Sequence, residues 1–94
     1  MSTIVGDAVY ENGGIAVTIS HNEKSADAHI QVTVYQITGP GQRELIVLDK
    51  SVRLDKGDNH VSLSALLEPG KYKLYIYVIQ NGERKTAVIR DIVV

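Results

Sequence analysis

The stretch from Leu66 to Val94, LLEPGKYKLYIYVIQNGERKTAVIRDIVV, decides the fold of this chain. Pro69-Gly70 marks a corner, and apolar residues then alternate with other residues from Tyr72 to Val78, which is the period of a strand. Asn81-Gly82 predicts a two-residue hairpin turn, because both central residues of such a turn need positive φ, which Asn tolerates and Gly adopts freely. The stretch therefore predicts a corner, a strand, a tight turn and a closing strand.

The rest of the chain predicts five more strands, joined by turn residues. These strands are Thr3–Tyr10, with a bulge or kink at Gly6-Asp7, Ile15–Ser20, Ala28–Ile37, Leu45–Leu54 and His60–Leu66. The Leu45–Leu54 segment is either one long strand or two short strands bent at Asp49-Lys50, where the chain would leave one sheet for the other. A single turn around Ser64–Glu68 is the one helix candidate. Seven closely spaced strands predict an antiparallel sandwich.

The composition sets limits on what the chain can be. Its 94 residues fit a single domain, residues 1–94, and its lack of cysteine excludes a disulfide, a thiolate metal site and a thiol nucleophile. Ten basic and eleven acidic residues are interspersed, which argues against a nucleic-acid partner. No apolar run approaches the roughly 18 residues of a spanning helix, so we expect no membrane insertion.

The expected cellular location depends on whether this chain is a whole protein or one domain of a longer protein. The residues Met1-Ser2-Thr3 lead almost directly into the first predicted strand and have neither the charged nor the apolar region expected of a secretory leader. We expect a cytoplasmic protein if this is the whole chain, and an extracellular or cell-envelope protein if it is a domain of a longer one.

The corner carries a resemblance to known sandwich families. Leu67-Glu68-Pro69-Gly70-Lys71-Tyr72 resembles the tyrosine corner of immunoglobulin-like and fibronectin-type-III-like sandwiches, where a tyrosine hydroxyl bonds to the backbone just upstream. The order of Ile30–Tyr35, Lys56-Gly57 and Leu67–Val78 also resembles bacterial cell-surface modules of the CARDB and sorting-domain kind.

This resemblance implies an all-β fold, an antiparallel immunoglobulin-like sandwich of about seven strands. It assigns Pro69, Gly70 and Tyr72 to the corner, with the Tyr72 hydroxyl bonded to a backbone group between Leu66 and Pro69. It implies no single activity, because such sandwiches host many roles.

Three histidines are the first candidates for chemistry. His21, His29 and His60 lie on different segments without the spacing of a metal motif, and we expect them to be solvent-facing residues at strand ends. Asp55, Asp58 and Asn59 offer either oxygen ligands for Ca²⁺ or the side chains of an ordinary turn.

Nucleophile motifs, phosphate loops and paired carboxylates in an evident cleft are missing from the sequence. We therefore expect no catalytic residue, no metal, no cofactor and no enzyme.

One face of the predicted sandwich is a candidate binding surface. If every second residue of each strand faces the core, the residues between them face outward. On the two strands that end in Ile37 and Ile79, these outward residues include a group of large side chains. The group consists of Tyr35, Ile37, Lys73, Tyr75, Tyr77 and Ile79. Tyrosine is favoured at protein interfaces, but cross-strand tyrosine pairs also stabilise a sheet without any partner. The residues favour slightly an interface for a protein partner or for self-association.

The sequence thus predicts a non-enzymatic module for adhesion, assembly or display in a bacterial extracellular or envelope protein. One alternative is a proteinase-inhibitor-type sandwich that acts through the loops His21–Asp27 and Thr38–Glu44, the second of which contains Pro40 and Arg43. Another is an accessory spacer domain of a secreted enzyme. The apolar end, Ile92-Val93-Val94, indicates either a domain boundary or an edge for strand addition.

Overall fold

The computed structural model describes residues 3–94, and seven strands within them form two antiparallel sheets. The strands are β1 (Thr3–Glu11), β2 (Gly14–His21), β3 (Ala26–Thr38), β4 (Gly41–Leu54), β5 (Gly57–Ser64), β6 (Lys71–Gln80) and β7 (Glu83–Val93). One sheet has the strand order β1-β2-β5 and the other the order β4-β3-β6-β7. The predicted all-β immunoglobulin-like sandwich is confirmed.

The core between the sheets is aliphatic except for one ring. Alternate residues of β2, β3 and β6 point inward and are buried, as their period-two pattern predicts. The side chains buried most completely are Ile15, Ile19, Ile30, Val32, Val34, Leu54, Tyr72, Leu74, Ile76 and Val78. Because the chain has no Phe and no Trp, Tyr72 is the large aromatic group of this core.

Two hairpins use the turn chemistry expected from Asn-Gly. Asn81 and Gly82 have φ values of 52° and 76°, and β6 pairs with β7 directly up to this turn. Asn12 and Gly13 repeat the conformation between β1 and β2, with φ values of 52° and 71°. Positive φ at both central residues matches the twist of the flanking strands.

β4 is one strand of 14 residues that pairs with β3 from Gly41 to Leu54, with one register shift at Leu45. The bend at Asp49-Lys50 is therefore not present. The chain passes to the other sheet only after Leu54, and the Asn59 amide closes that crossing. Its oxygen accepts the backbone N–H of Asp55 at 2.8 Å, and its nitrogen donates to the carbonyls of Asp55, Gly57 and Ile19.

The segment between β5 and β6 is not the helical turn considered from the sequence but an irregular connection held by two tyrosines. The Tyr72 hydroxyl donates to the Glu68 carbonyl at 2.6 Å, and the ring is 2% exposed. This is the corner bond that the sequence predicts. The Tyr10 hydroxyl donates to the Ala65 carbonyl at 2.8 Å and accepts the Leu67 N–H at 3.1 Å. The role of Tyr10 was not anticipated.

The two sheets are joined along one side by a guanidinium. Arg90 of β7 donates from Nε to the Gly6 carbonyl at 3.0 Å and from Nη2 to the Val5 carbonyl at 2.8 Å. These carbonyls lie where the pairing of β1 with β2 is interrupted, between Val5 and Ala8, which is the bulge predicted at Gly6-Asp7. The guanidinium thus bonds to backbone acceptors on the irregular part of an edge strand.

A bulge in β7 puts Arg90 in that position. The register with β6 skips one residue between Arg84 and Thr86, so Lys85 has no partner in the ladder. One extra residue moves every later side chain to the opposite face. Arg90 therefore points towards β1, and Ile89 points outward.

A lysine makes the corresponding contact on the other side of the sandwich. Lys50 of β4 donates from Nζ to the Ser62 carbonyl of β5 at 2.7 Å. Lys50 shares the inward face with Ile30, its partner on β3. A charged side chain that points inward also makes an edge strand a poor template for pairing with another chain.

We expect Tyr72→Phe to lower the free energy of unfolding by about 1–3 kcal/mol, because the Glu68 carbonyl loses its donor in a partly buried place. Urea denaturation measures the change. Tyr77→Phe is the matched control, since its ring lies on the outer surface, where most changes stay within about 0.5 kcal/mol. Equal denaturation midpoints for Tyr72→Phe and the parent would show that the hydroxyl does not hold the corner.

We expect Gly82→Val to cost about 1–3 kcal/mol, because a β-branched residue is strained at a φ of 76°. Gly41→Val is the control at another hairpin. Gly41 does not have positive φ, and an added Cβ would meet only the Thr38 carbonyl oxygen, at 3.9 Å. Thermal denaturation of both variants checks the prediction, which fails if the two melt together.

We expect Arg90→Met to destabilise the fold by on the order of 1–3 kcal/mol, because hydrogen bonds from a charged donor to two carbonyls are lost. Arg53→Met is the control, since Arg53 forms a highly exposed ion pair with Asp27. Such pairs contribute about 0–1 kcal/mol. Urea midpoints compare the two, and an Arg90→Met protein as stable as Arg53→Met would contradict the role of Arg90.

Candidate functional site

The outer face of the four-stranded sheet carries Tyr35 on β3 and Tyr75 and Tyr77 on β6, and is called the tyrosine face below. β3 and β6 are direct neighbours, as expected, and their inward residues are buried, so alternation turns the tyrosines outward. All the residues proposed for this face from the sequence lie on it, and each is half-buried. They are Tyr35, Ile37, Lys73, Tyr75, Tyr77 and Ile79.

The tyrosine rings pack on one another and on a cation instead of extending freely into solvent. The ring centroids of Tyr35 and Tyr75 are 5.1 Å apart, with an angle of 64° between the planes, which is an edge-to-face contact. The guanidinium carbon of Arg84 lies 4.2 Å from the centroid of the Tyr77 ring. The rings are therefore held in defined positions on the sheet.

The edge strands add apolar residues that the sequence argument did not include. Thr33 pairs with Val47 on one side and with Tyr75 on the other, and Tyr75 pairs with Ile89. These four residues form one row across the sheet. Val47 is 49% exposed and Ile89 is 50% exposed, so the row ends in an accessible apolar side chain on each edge strand.

Charged groups surround the rings. Glu44 of β4 pairs across the ladder with Tyr35, and Lys73 forms an ion pair with Asp91 of β7 at 3.1 Å. Partial burial of the ring, followed by the neighbouring Glu44 carboxylate, raises the pKa of the Tyr35 hydroxyl above its ordinary value. The Tyr35 hydroxyl therefore keeps its proton up to a higher pH than an ordinary tyrosine does.

The histidines are placed differently from one another. His21 was expected to face solvent, and this was wrong, since it is only 2% exposed. Its Nε2 donates to the Lys24 carbonyl at 3.1 Å, and its Nδ1 lies 3.2 Å from the Thr3 hydroxyl. Nε2 thus helps to close the β2–β3 connection, and Nδ1 contacts β1. His60 is exposed and lies 3.1 Å from the Thr18 hydroxyl.

His29 has an aspartate and a serine beside it on the surface. Its Nδ1 lies 3.1 Å from the Asp49 carboxylate, while the Ser51 hydroxyl lies 3.4 Å from Nδ1 and 3.5 Å from Nε2. In a serine nucleophile triad the acid and the serine bond to opposite nitrogens of the imidazole. Here the Ser51 hydroxyl lies almost equally far from both ring nitrogens, and both distances are longer than those of a well-formed hydrogen bond, so the geometry is not that of a triad.

The oxygens considered for Ca²⁺ take part in the β4–β5 crossing. Asp55 accepts a hydrogen bond from Ser25 at 2.9 Å, and Asp58 accepts one from Ser20 at 2.7 Å. The side-chain oxygen of Asn59 accepts a backbone N–H, as described above. Of the two alternatives, the contacts favour the turn, and residues 3–94 contain no group of three or more His, Cys, Asp or Glu placed to hold a metal.

The loops proposed for an inhibitor are shorter than expected. β4 begins at Gly41, so the segment Thr38–Glu44 is mostly strand around a two-residue turn at Gly39-Pro40. Arg43 lies on that strand and donates to the Gln36 side chain at 2.9 Å. The other connection spans only residues 22–25. The inhibitor alternative therefore loses most of one of its two contact loops.

The described residues thus define an immunoglobulin-like β-sandwich with an apolar, tyrosine-containing outer face. A scan against protein-family models and a search of the curated proteins both find no match to the chain. Over residues 3–94, the structure contains no helix of the length and apolarity that crossing a membrane requires.

Proposed function

We propose that this chain is a non-enzymatic protein-interaction module that binds other protein surfaces through the tyrosine face. Adhesion, assembly or display in a bacterial extracellular or envelope protein is the setting we propose, on the resemblance of the corner and strand pattern to such modules. The observation that carries the proposal is the row of Val47, Thr33, Tyr75 and Ile89 across one accessible sheet face.

The size and content of this face support a contact site. Three tyrosine rings and the side chains of Val47 and Ile89 are contiguous across four neighbouring strands. Exposed apolar patches beyond a few hundred Å² are uncommon on monomeric proteins and usually mark contact sites. Within the described part of the chain, the elements that contact this sheet are its own strands and the strands of the other sheet, which pack on its inner side.

The packing of the rings favours binding as well. A ring that already rests against a neighbour loses little conformational freedom when a partner covers it. Tyr35 rests on Tyr75, and Arg84 covers part of Tyr77. The face is therefore ordered before any partner arrives, and covering it removes apolar area from water at a low entropic cost.

The test is site-specific photo-crosslinking in an extract of the source cells. A benzophenone amino acid replaces Ile89 on the tyrosine face, and the control carries it at Val9. Val9 is also 50% exposed but lies on β1 of the other sheet. We expect a crosslinked protein product from position 89 and much less from position 9.

The double substitution Tyr75→Ser with Tyr77→Ser should reduce the product from position 89 while the free energy of unfolding, measured by urea denaturation, falls by only about 0.4–2 kcal/mol, the sum expected for two cross-strand aromatic contacts. Equal yields from positions 89 and 9, or a yield that the two serines leave unchanged, would refute the proposed function.

A further inference from the structure

The outer edge of β4 has backbone groups that the sandwich itself does not use. β4 is the first strand of the four-stranded sheet, with β3 as its one neighbour. Every second residue of such an edge strand directs its N–H and C=O away from the sheet. Over residues 3–94, none of the backbone hydrogen bonds outside the strand ladders involves β4. These groups are therefore open to another strand.

The other edges of the two sheets are tied to each other. The edges of β1 and β7 are joined by the bonds from Thr86 and Arg90 of β7 to carbonyls of β1. The second half of β4 is linked to β5 by the bond from Lys50 to the Ser62 carbonyl. The first half of β4, as far as Leu48, has no bond of this kind in the described part of the chain.

This uncovered half of the edge is also apolar. It contains Leu45-Ile46-Val47-Leu48, and the first three of these residues are 40%, 42% and 49% exposed. An inward-pointing charge protects an edge strand against pairing, and Lys50 gives the second half of β4 that protection. The inward residues of this run are Ile46 and Leu48, opposite Val34 and Val32 of β3, so the run lacks such a charge.

We infer that the edge of β4 from Arg43 to Leu48 binds an extended peptide segment of another protein, which adds to the four-stranded sheet as an antiparallel fifth strand. The free N–H and C=O groups specify the extended conformation, because they are satisfied by the backbone of a neighbouring strand. The inference goes beyond the function proposed above, since it concerns the edge of the sheet and not its outer face.

A second copy of β4 is a poor occupant of this edge, because the charges of β4 read the same from both ends. Glu44 and Asp49 lie one row to either side of Val47 on the outer face, and Arg43 and Lys50 flank the apolar run on the inner face. A two-fold axis at Val47 brings Glu44 opposite Asp49. It also brings Arg43 opposite Lys50. Like charges directly opposite each other destabilise strand pairing, and an axis one residue away on either side sets charged residues opposite apolar ones.

The same pattern specifies the chemistry of the segment that fits. Three apolar residues belong opposite the run from Ile46 to Leu48. A basic residue belongs opposite Glu44, another opposite Asp49, and an acidic residue opposite Arg43. Leu45 is the extra residue of the register shift and has no partner on β3. Read in the antiparallel direction, the segment is basic, apolar, apolar, apolar, basic and acidic.

The test is a titration of the isotope-labelled protein with the capped peptide Lys-Val-Ile-Val-Lys-Glu. We expect saturable changes in amide chemical shift at Arg43–Leu48, with a dissociation constant on the order of 1 mM, because a short disordered peptide must be ordered. At a peptide concentration of about three times that constant, hydrogen exchange should slow about fourfold at alternate N–H groups of the segment, those that point away from β3. Absence of any shift at about 5 mM peptide, or shifts confined to other residues, overturns the inference.

Matched peptides separate strand pairing from contact through side chains alone. Two versions carry N-methyl groups at alternate amides, one at the first, third and fifth residues and the other at the second, fourth and sixth. We expect one version to bind and the other to fail, because only one set of peptide N–H groups faces β4. The charge-reversed peptide Glu-Val-Ile-Val-Glu-Lys should bind about fivefold more weakly. Equal binding by both methylated versions refutes strand addition, and equal binding by the charge-reversed peptide refutes the assigned ligand chemistry.

A substitution at the edge tests the position of the site. Ile46→Lys supplies the inward charge that the apolar run lacks, and it should weaken peptide binding at least about fivefold. Ile4→Lys is the control, because Ile4 is 61% exposed but lies on β1, whose edge β7 covers. An Ile46→Lys protein that folds and binds as the parent does contradicts the site. If Ile46→Lys does not fold, the two methylated peptides decide the matter on the parent protein.

Discussion

The hydrogen bonds from Arg90 to the carbonyls of Val5 and Gly6 join the two sheets along one edge, where Thr86 adds a longer bond to the Thr3 carbonyl. They exist because two irregularities meet. A bulge in β1 interrupts its pairing with β2 at these carbonyls, and a bulge in β7 turns Arg90 inward. If the ladder between β6 and β7 were regular from the Asn81-Gly82 turn onward, Arg90 would face outward and Ile89 would face the core. A single extra residue therefore decides both how the sandwich closes and which apolar residue the tyrosine face displays.

Much of the fold was predictable because local chemistry specifies it. Asn81-Gly82 fixes a turn type, the alternation in β6 fixes its buried face, and the corner sequence places the hydroxyl of Tyr72 against the Glu68 carbonyl. The course of β4 was not predictable, since Asp49-Lys50 looks like a break when the residues are read alone. In the structure Lys50 pairs with Ile30 in the ladder, and its ammonium donates to the Ser62 carbonyl across the sandwich. Long-range contacts of this kind leave no local pattern in a sequence.

The candidate site also has a part that could be predicted from the sequence and a part that could not. Its central strands, β3 and β6, alternate cleanly, and their outward tyrosines could be identified by counting residues. The outward residues of the edge strands β4 and β7 could not be identified in this way. The bulge at Lys85 decides that Ile89 faces outward, and a second register shift, opposite Val34 and Tyr35, affects β4. The burial of His21 was missed for a related reason, since its partners, Thr3 and the Lys24 carbonyl, come together only after β1 and β2 have paired. Register, rather than residue type, sets what can be known in advance.

The relative direction of β1 and β7 has a mechanical consequence. The Thr3 carbonyl accepts a hydrogen bond from Thr86, and the Gly6 carbonyl accepts one from Arg90, so residue numbers rise together and the two strands run parallel. Val94 lies eight residues beyond Thr86, or about 27 Å further along the same direction at the rise of a strand. A force that pulls residues 3 and 94 apart thus slides β1 against β7 in shear. The side-chain bonds between them then carry the load together, whereas the bonds of a hairpin pulled open at its end break one at a time.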